Sequence, residues 1–92
     1  MKVKVLFFAS CRDIVGSREI ELEVPKGSTA GDAVDRLCET HPRLSPLRGR
    51  MAISVNEDYA AAETALREGD VLGLIPPVSG GGPLFSGDRR SP

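Results

Sequence analysis

Tryptophan is absent from this sequence, histidine occurs once, and three phenylalanines and one tyrosine are its only aromatic residues. With one histidine, no HExxH pair and no dense Cys/His cluster, a transition-metal centre built by this chain alone is not expected. The two cysteines, Cys11 and Cys38, are too few for a secreted disulfide framework, and neither has a CxxC neighbour. Both are therefore expected to be reduced. No stretch approaches the roughly 20 apolar residues that span a bilayer. The start, MKVKVLFFAS, also lacks a small-residue cleavage site behind a long apolar run. The expected location is cytoplasmic, with no membrane partner. Basic runs are missing too: 12 Lys and Arg stand against 13 Asp and Glu, a net charge of -1. Nothing here could neutralise a line of phosphates, so nucleic acid is not an expected partner. A phosphate-binding loop and a nucleophile-base-orienter set are likewise absent, which argues against a stand-alone enzyme.

What is present is the material for one small domain. A chain of 92 residues with 40% apolar and 27% charged side chains has ordinary globular composition and can build one modest core. In Lys2 to Ala9 (KVKVLFFA), Val3, Val5 and Phe7 alternate with Lys2, Lys4 and Leu6 before the run becomes continuously apolar, the pattern of a strand with one buried face. Ser10 to Gly16 is long enough for a helical turn, and Cys11, placed in this loop, is expected to be the more accessible thiol. Arg18 to Val24 alternates again, with Ile20, Leu22 and Val24 on one face and Glu19, Glu21 and Glu23 solvated on the other. Pro25-Lys26-Gly27 ends that strand.

Ala30, Ala33, Val34, Leu37 and Cys38 then fall at i, i+3, i+4, i+7 and i+8, predicting a helix whose apolar stripe carries Cys38 into the core. Ser28 or Thr29 supplies the N-cap, with Asp32 in capping-box spacing from Thr29. His41-Pro42 closes the helix, because a residue before proline disfavours helical angles; His41 is expected to be exposed there. Met51 to Val55 reads as a third strand, Tyr59 to Ala61 as a short extended piece, and Val71 to Ile75 as a last strand stopped by Pro76-Pro77. Asp13, Glu57, Asp58 and Glu63 read as solvated loop charges. The order β-β-α-β-β suits an α+β fold, a mixed twisted sheet with one main helix packed across it, and resembles the ubiquitin-like β-grasp. In that architecture the first and last strands lie side by side in the centre of the sheet.

After the last strand comes Pro76-Pro77-Val78-Ser79-Gly80-Gly81. Two prolines favour a stiff extended exit, and paired glycines without Cβ can thread a narrow passage and let a reagent approach the backbone. Six residues at about 3.3 Å each reach on the order of 20 Å from the domain. Taken alone, such a segment reads first as an ordinary loop where a strand ends. From Gly82 the composition changes, and GPLFSGDRRSP reads as a disordered extension over residues 82–92. The expected division is therefore a domain over 1–81, ending in a flexible tail over 76–81, followed by that extension.

Lys4-Val5-Leu6-Phe7-Phe8-Ala9 with Arg12 shortly after, Glu68-Gly69-Asp70-Val71, and Pro76 to Gly81 together resemble the small sulfur-carrier subunit of molybdopterin synthase, the MoaD family, over residues 1–81. The resemblance implies a carrier whose terminal glycine, here Gly81, is adenylated by an adenylyltransferase of the ubiquitin-activating type and converted to a thiocarboxylate. The sulfur would pass, inside the large synthase subunit, to cyclic pyranopterin monophosphate. ATP and the sulfur donor would be used by the activating partner, with no cofactor bound by this chain. Partner contacts implied by the resemblance are Phe8, Arg12, Ile75 and the tail residues Pro76, Pro77, Val78, Ser79 and Gly80. On the residues alone, Phe8 and Ile75 fit core packing as well, and Arg12 fits a solvated surface charge.

The sequence departs from the family pattern in continuing past Gly81, where a carboxylate tied up in a peptide bond cannot be adenylated. Trimming by a processing protease, a linker or cloning remnant, or loss of carrier activity would each account for it. The intact PPVSGG favours the first two, and Gly82 leaves the cut position open by one residue. A carrier for thiamine, cysteine or tRNA thiolation shares these features, although PPV and FFA point to molybdopterin. A ubiquitin-like modifier or interaction module is the reading from another functional class.

Overall fold

Alternation in the first strand sets the layers of the molecule. In a computed structural model that describes residues 1–77, β1 (Lys2–Phe7) buries Val3, Val5 and Phe7 and turns Lys2 and Lys4 to solvent. Following it are α1 (Ala9–Val15), β2 (Glu19–Glu23), α2 (Ala30–Thr40), a 3-10 helix (Pro42–Leu47), β3 (Ala52–Val55), β4 (Asp58–Ala60) and β5 (Val71–Ile75). The five strands form one sheet in the order β2-β1-β5-β3-β4. Only β1 and β5 pair in parallel, in the register Lys4↔Val71 to Phe7↔Leu74; the other three pairings are antiparallel. The first and last strands are thus neighbours at the centre of a mixed sheet, as expected. The tail residues Val78 to Gly81 and the extension 82–92 lie outside the described residues.

One face of the sheet is covered by helices, and there the core sits. Val3, Val5 and Phe7 of β1 and Leu72 and Leu74 of β5 meet Ala30, Ala33, Val34 and Leu37 of α2, with Cys11 of α1 and Leu44 of the 3-10 helix closing the end. Cys38 is half-buried against this cluster. The N-terminus of α2 carries the expected reciprocal box: Thr29 Oγ1 accepts from the Asp32 amide at 3.2 Å, and Asp32 Oδ2 accepts from the Thr29 amide at 3.0 Å. Ahead of that box the chain is gripped by a distant segment. Ala30 N–H donates to Thr64 O, Gly31 N–H to Ala62 O and Leu66 N–H to Ser28 O, all within 2.9 Å. A Cβ at Gly31 would sit 3.0 Å from that of Ala62, so a larger residue would push the crossing chain away.

Two elements enlarge the expected pattern. The turn after β1 closes into the seven-residue α1, ended by Gly16 in the left-handed region, and Pro42 starts a 3-10 helix directly behind α2. On β2, Glu19, Glu21 and Glu23 are exposed while Ile20 and Leu22 are half-buried, as the alternation requires. Asp13, Glu57, Asp58 and Glu63 are exposed, whereas His41 is half-buried as the C-cap of α2.

The β3–β4 hairpin turns on Asn56 and Glu57, both with positive φ, 52° and 76°. That is the φ signature of a type I′ turn, whose twist matches the flanking strands. Asn56 is tied down: its side chain donates to Asp70 Oδ1 and accepts from Val71 N–H, both at 3.0 Å. Glu57 has no comparable tie among the described hydrogen bonds, and a side chain there bears a left-handed backbone that glycine adopts freely. Glu57→Gly is expected to stabilise the fold by about 0.5–1 kcal/mol. In urea unfolding this appears as a higher midpoint at unchanged m-value.

Candidate functional site: the open face of the sheet

The sheet face away from the helices carries the groove nearest the exit of the last strand. Side chains directly opposite one another on paired strands share a face. The pairings Leu6↔Gly73, Gly73↔Ser54 and Ser54↔Tyr59 therefore draw one row across β1, β5, β3 and β4. Val71 and Ile75 flank Gly73 along β5 on this face, while Leu72 and Leu74 point into the core. The result is a groove of about 460 Å³ lined by Leu6, Phe8, Ser54, Asn56, Glu57, Tyr59, Val71 and Ile75.

Phe8 and Tyr59, 45% and 81% exposed, are the large apolar side chains left to solvent among the described residues, and both line this groove. Phe8 follows the last residue of β1, and its alternation places it outward. Its amide still donates to Leu74 O at 3.2 Å, so the backbone keeps the register of β5 as the chain turns into α1. Exposed aromatics around small polar and aliphatic groups, with Asn56 and Glu57 at one end, make an apolar centre with a polar rim, the make-up of a specific protein interface.

The other residues singled out in the sequence are distributed around this centre. Ile75 lines the groove half-buried, and Pro76 and Pro77 follow it, also half-buried, at the root of the tail. Arg12 is exposed on α1 and does not line the groove. Val78, Ser79, Gly80 and Gly81 lie outside the described residues. Leu6, Ser54, Tyr59 and Val71 had not been singled out. The alternation of β1 and β5 held a signal for Leu6 and Val71, but Ser54 and Tyr59 join only through strand pairing. Among the described residues, no three His, Cys, Asp or Glu side chains are grouped so as to hold a metal ion.

The expectation of an accessible Cys11 is corrected. Helix α1 turns position 11 inward, where the thiol is fully buried with its Sγ 3.5 Å from Met51 Sδ. Burial, and secondarily the neighbouring Cys38, push the Cys11 thiol above its ordinary pKa. Burial also raises Cys38, against the opposing pull of the Ser45 hydroxyl and Arg48, whose guanidinium is paired with Asp35. Because thiolate is the reactive form, both are slow nucleophiles at neutral pH. Pulsed iodoacetamide labelling followed by mass spectrometry should modify Cys38 before Cys11, with Cys11 protected until the domain unfolds. The raised values also set a direction for stability. Unfolded thiols ionise first, so this contribution is intact below pH about 8.5 and is lost as pH rises further.

Comparison with known proteins places this geometry. The profile of the ThiS family matches residues 5–81. A curated relative, the molybdopterin synthase sulfur carrier subunit of Arabidopsis thaliana, is 35% identical over 81 residues, covering 88% of this chain and 84% of that protein. Among solved structures, small archaeal modifier protein 1 of Haloferax volcanii superposes with a TM-score of 0.79 at 35% identity, covering 88% of this chain and all of that one. The complex of subunits 1 and 2 of the molybdopterin-converting factor from Helicobacter pylori matches with a TM-score of 0.62 at 26% identity, over 88% of this chain and 100% of the matched one.

Proposed function

The chain belongs to the ThiS family, and we propose that it is the sulfur-carrier subunit of a molybdopterin synthase, with Gly81 as the carrying residue. The observation behind this reading is the continuity of an apolar groove with the end of β5: Phe8 and Ile75 line the groove, and Pro76-Pro77 lead from it toward Gly80-Gly81, where the family match ends. In the Helicobacter pylori protein the matching fold is found together with a second subunit. On this reading the open face docks on a large synthase subunit, and the tail delivers Gly81 to that subunit's active site.

The chemistry follows from what a carboxylate lacks. Its oxygen is a poor leaving group, so sulfur cannot displace it directly. The Gly81 carboxylate oxygen attacks the α-phosphorus of ATP in a partner adenylyltransferase, releasing pyrophosphate and leaving an acyl adenylate. Hydrosulfide delivered by the donor then attacks the carbonyl carbon, forming the C–S bond as the C–O bond to AMP breaks, and loss of the S–H proton leaves a thiocarboxylate. That sulfur is handed to cyclic pyranopterin monophosphate in the large subunit. This chain supplies the docking surface, the reach and the reacting carboxyl carbon, and the partners supply the nucleotide site and the acid-base groups. The reaction needs a free Gly81 carboxylate, so the Gly81–Gly82 peptide bond must first be hydrolysed, by a protease of the host.

A second reading, as a protein modifier joined through Gly81 to lysines, draws on the likeness to small archaeal modifier protein 1. Isopeptide-linked adducts in host lysate without any thiocarboxylate species would favour it.

The test of the carrier reading is intact mass, measured on protein from its own host before and after incubation with the adenylyltransferase, ATP and a sulfur donor. A species ending at Gly81 that gains about 16 Da, sulfur for oxygen, is expected. A mass that still includes residues beyond Gly81 or Gly82 and never shifts would sink the carrier reading.

A further inference from the structure

Gly73 occupies the middle of β5, the central strand of the sheet, where glycine is a destabilising choice relative to alanine because it adds chain entropy and packs nothing. Its backbone does not call for glycine: positive φ occurs at Gly16, Gly27 and Gly69, but not at Gly73. The reason is steric and lies on the open face. A Cβ at Gly73 would overlap the Ser54 hydroxyl and press on Cε2 of the Phe8 ring at 3.3 Å. The ring therefore leans over the space that any other residue at this position would fill. Pinned at its backbone by the Leu74 carbonyl, Phe8 lies over the sheet at a height that a Cβ at position 73 would crowd.

We propose that Gly73 is a positioning residue of the docking face: its missing side chain seats the Phe8 ring and so fixes the shape of the groove that Phe8 and Tyr59 share. This deepens the docking reading given above and rests on it. The partner it selects for is a protein surface with an apolar side chain to enter beside the two aromatics, and a basic group to meet Glu57 at the end of the groove. With alanine at 73, Ser54 can rotate away, and the Phe8 ring must give by a few tenths of an ångström, which reshapes the groove beside it.

The experiment has a structural arm and a binding arm, using Gly73→Ala and, in case the single variant folds poorly, Gly73→Ala/Ser54→Ala, which removes the hydroxyl overlap and keeps the pressure on the ring. In the free protein, nuclear Overhauser contacts between the Phe8 ring and the residue-73 backbone should weaken and the ring resonances shift. Unmoved signals in a folded variant would overturn the proposal. In the binding arm, affinity for the large synthase subunit is titrated for Gly73→Ala, Phe8→Ala and the double variant. Phe8→Ala should weaken binding about ten-fold, as truncation of an interface anchor does. Gly73→Ala should cost about five-fold with Phe8 present and less than about two-fold without it, because the two act through one ring. Equal losses in both backgrounds, or no loss from Gly73→Ala while Phe8→Ala weakens binding, would overturn the role of Gly73. Unchanged binding by Phe8→Ala would instead overturn the docking reading, and the ring signals of the free protein would still decide the seating.

Discussion

The parallel pairing of β1 with β5 is the constraint on which the other features depend. It joins Lys4 to Val71 and Phe7 to Leu74, so the chain must close a loop of more than sixty residues before the centre of the sheet exists. Loop closure of that size costs entropy before any contact offsets it, though the cost grows only slowly with length. The offset is local to the join. Val3, Val5 and Phe7 from one strand and Leu72 and Leu74 from the other complete a single apolar surface, onto which the Ala30, Val34 and Leu37 stripe of α2 packs.

The same pairing makes the outer surface. Phe8 and Ile75 are far apart in sequence, and each follows the alternation of its own strand to the face opposite the helices. They line one groove because β1 and β5 are adjacent, and Tyr59 joins them through two further pairings. The exit of β5 at Pro76-Pro77 lies at the end of this surface, so a partner holding the groove also has the tail root within reach. On the proposed reading, anchoring and delivery are thereby separated: the domain supplies area, and the tail supplies the reacting atom.

Much of the fold was legible in the sequence wherever a period ran long enough to be unambiguous. KVKVLF, REIELEV and VLGLI each show a strand's alternation or continuous apolar character, and the 30–38 spacing with its Thr29/Asp32 box defines α2 nearly to the residue. Helix α1 was not legible as such, since seven residues make only two turns and the signal reduces to a position or two. That is why Cys11 reads as a loop thiol yet is buried. The 3-10 helix is hidden by its own prolines, Pro42 and Pro46, which punctuate a sequence as readily as they begin a short helix. Of the site, Phe8 and Ile75 came from the resemblance to a known family. Tyr59 and Ser54 could not be found from periodicity, because cross-strand adjacency is a property of register. Gly73 reads as a weak spot in a strand until the Phe8 ring is seen above it.

The row of carboxylates on β2 bears on how copies of this protein behave toward one another. With β1 on one side only, β2 has no strand on its other edge among the described residues, and an unpaired edge is a template for adding a strand from a second copy. Glu19, Glu21 and Glu23 stand at alternate positions of that edge strand, so two such edges brought together would set like charges against each other. That repulsion is screened by salt over roughly 8 Å at physiological ionic strength, a distance longer than the spacing between neighbouring strands. A domain that leaves an apolar groove open on one face thus holds an electrostatic safeguard against filament growth along its edge.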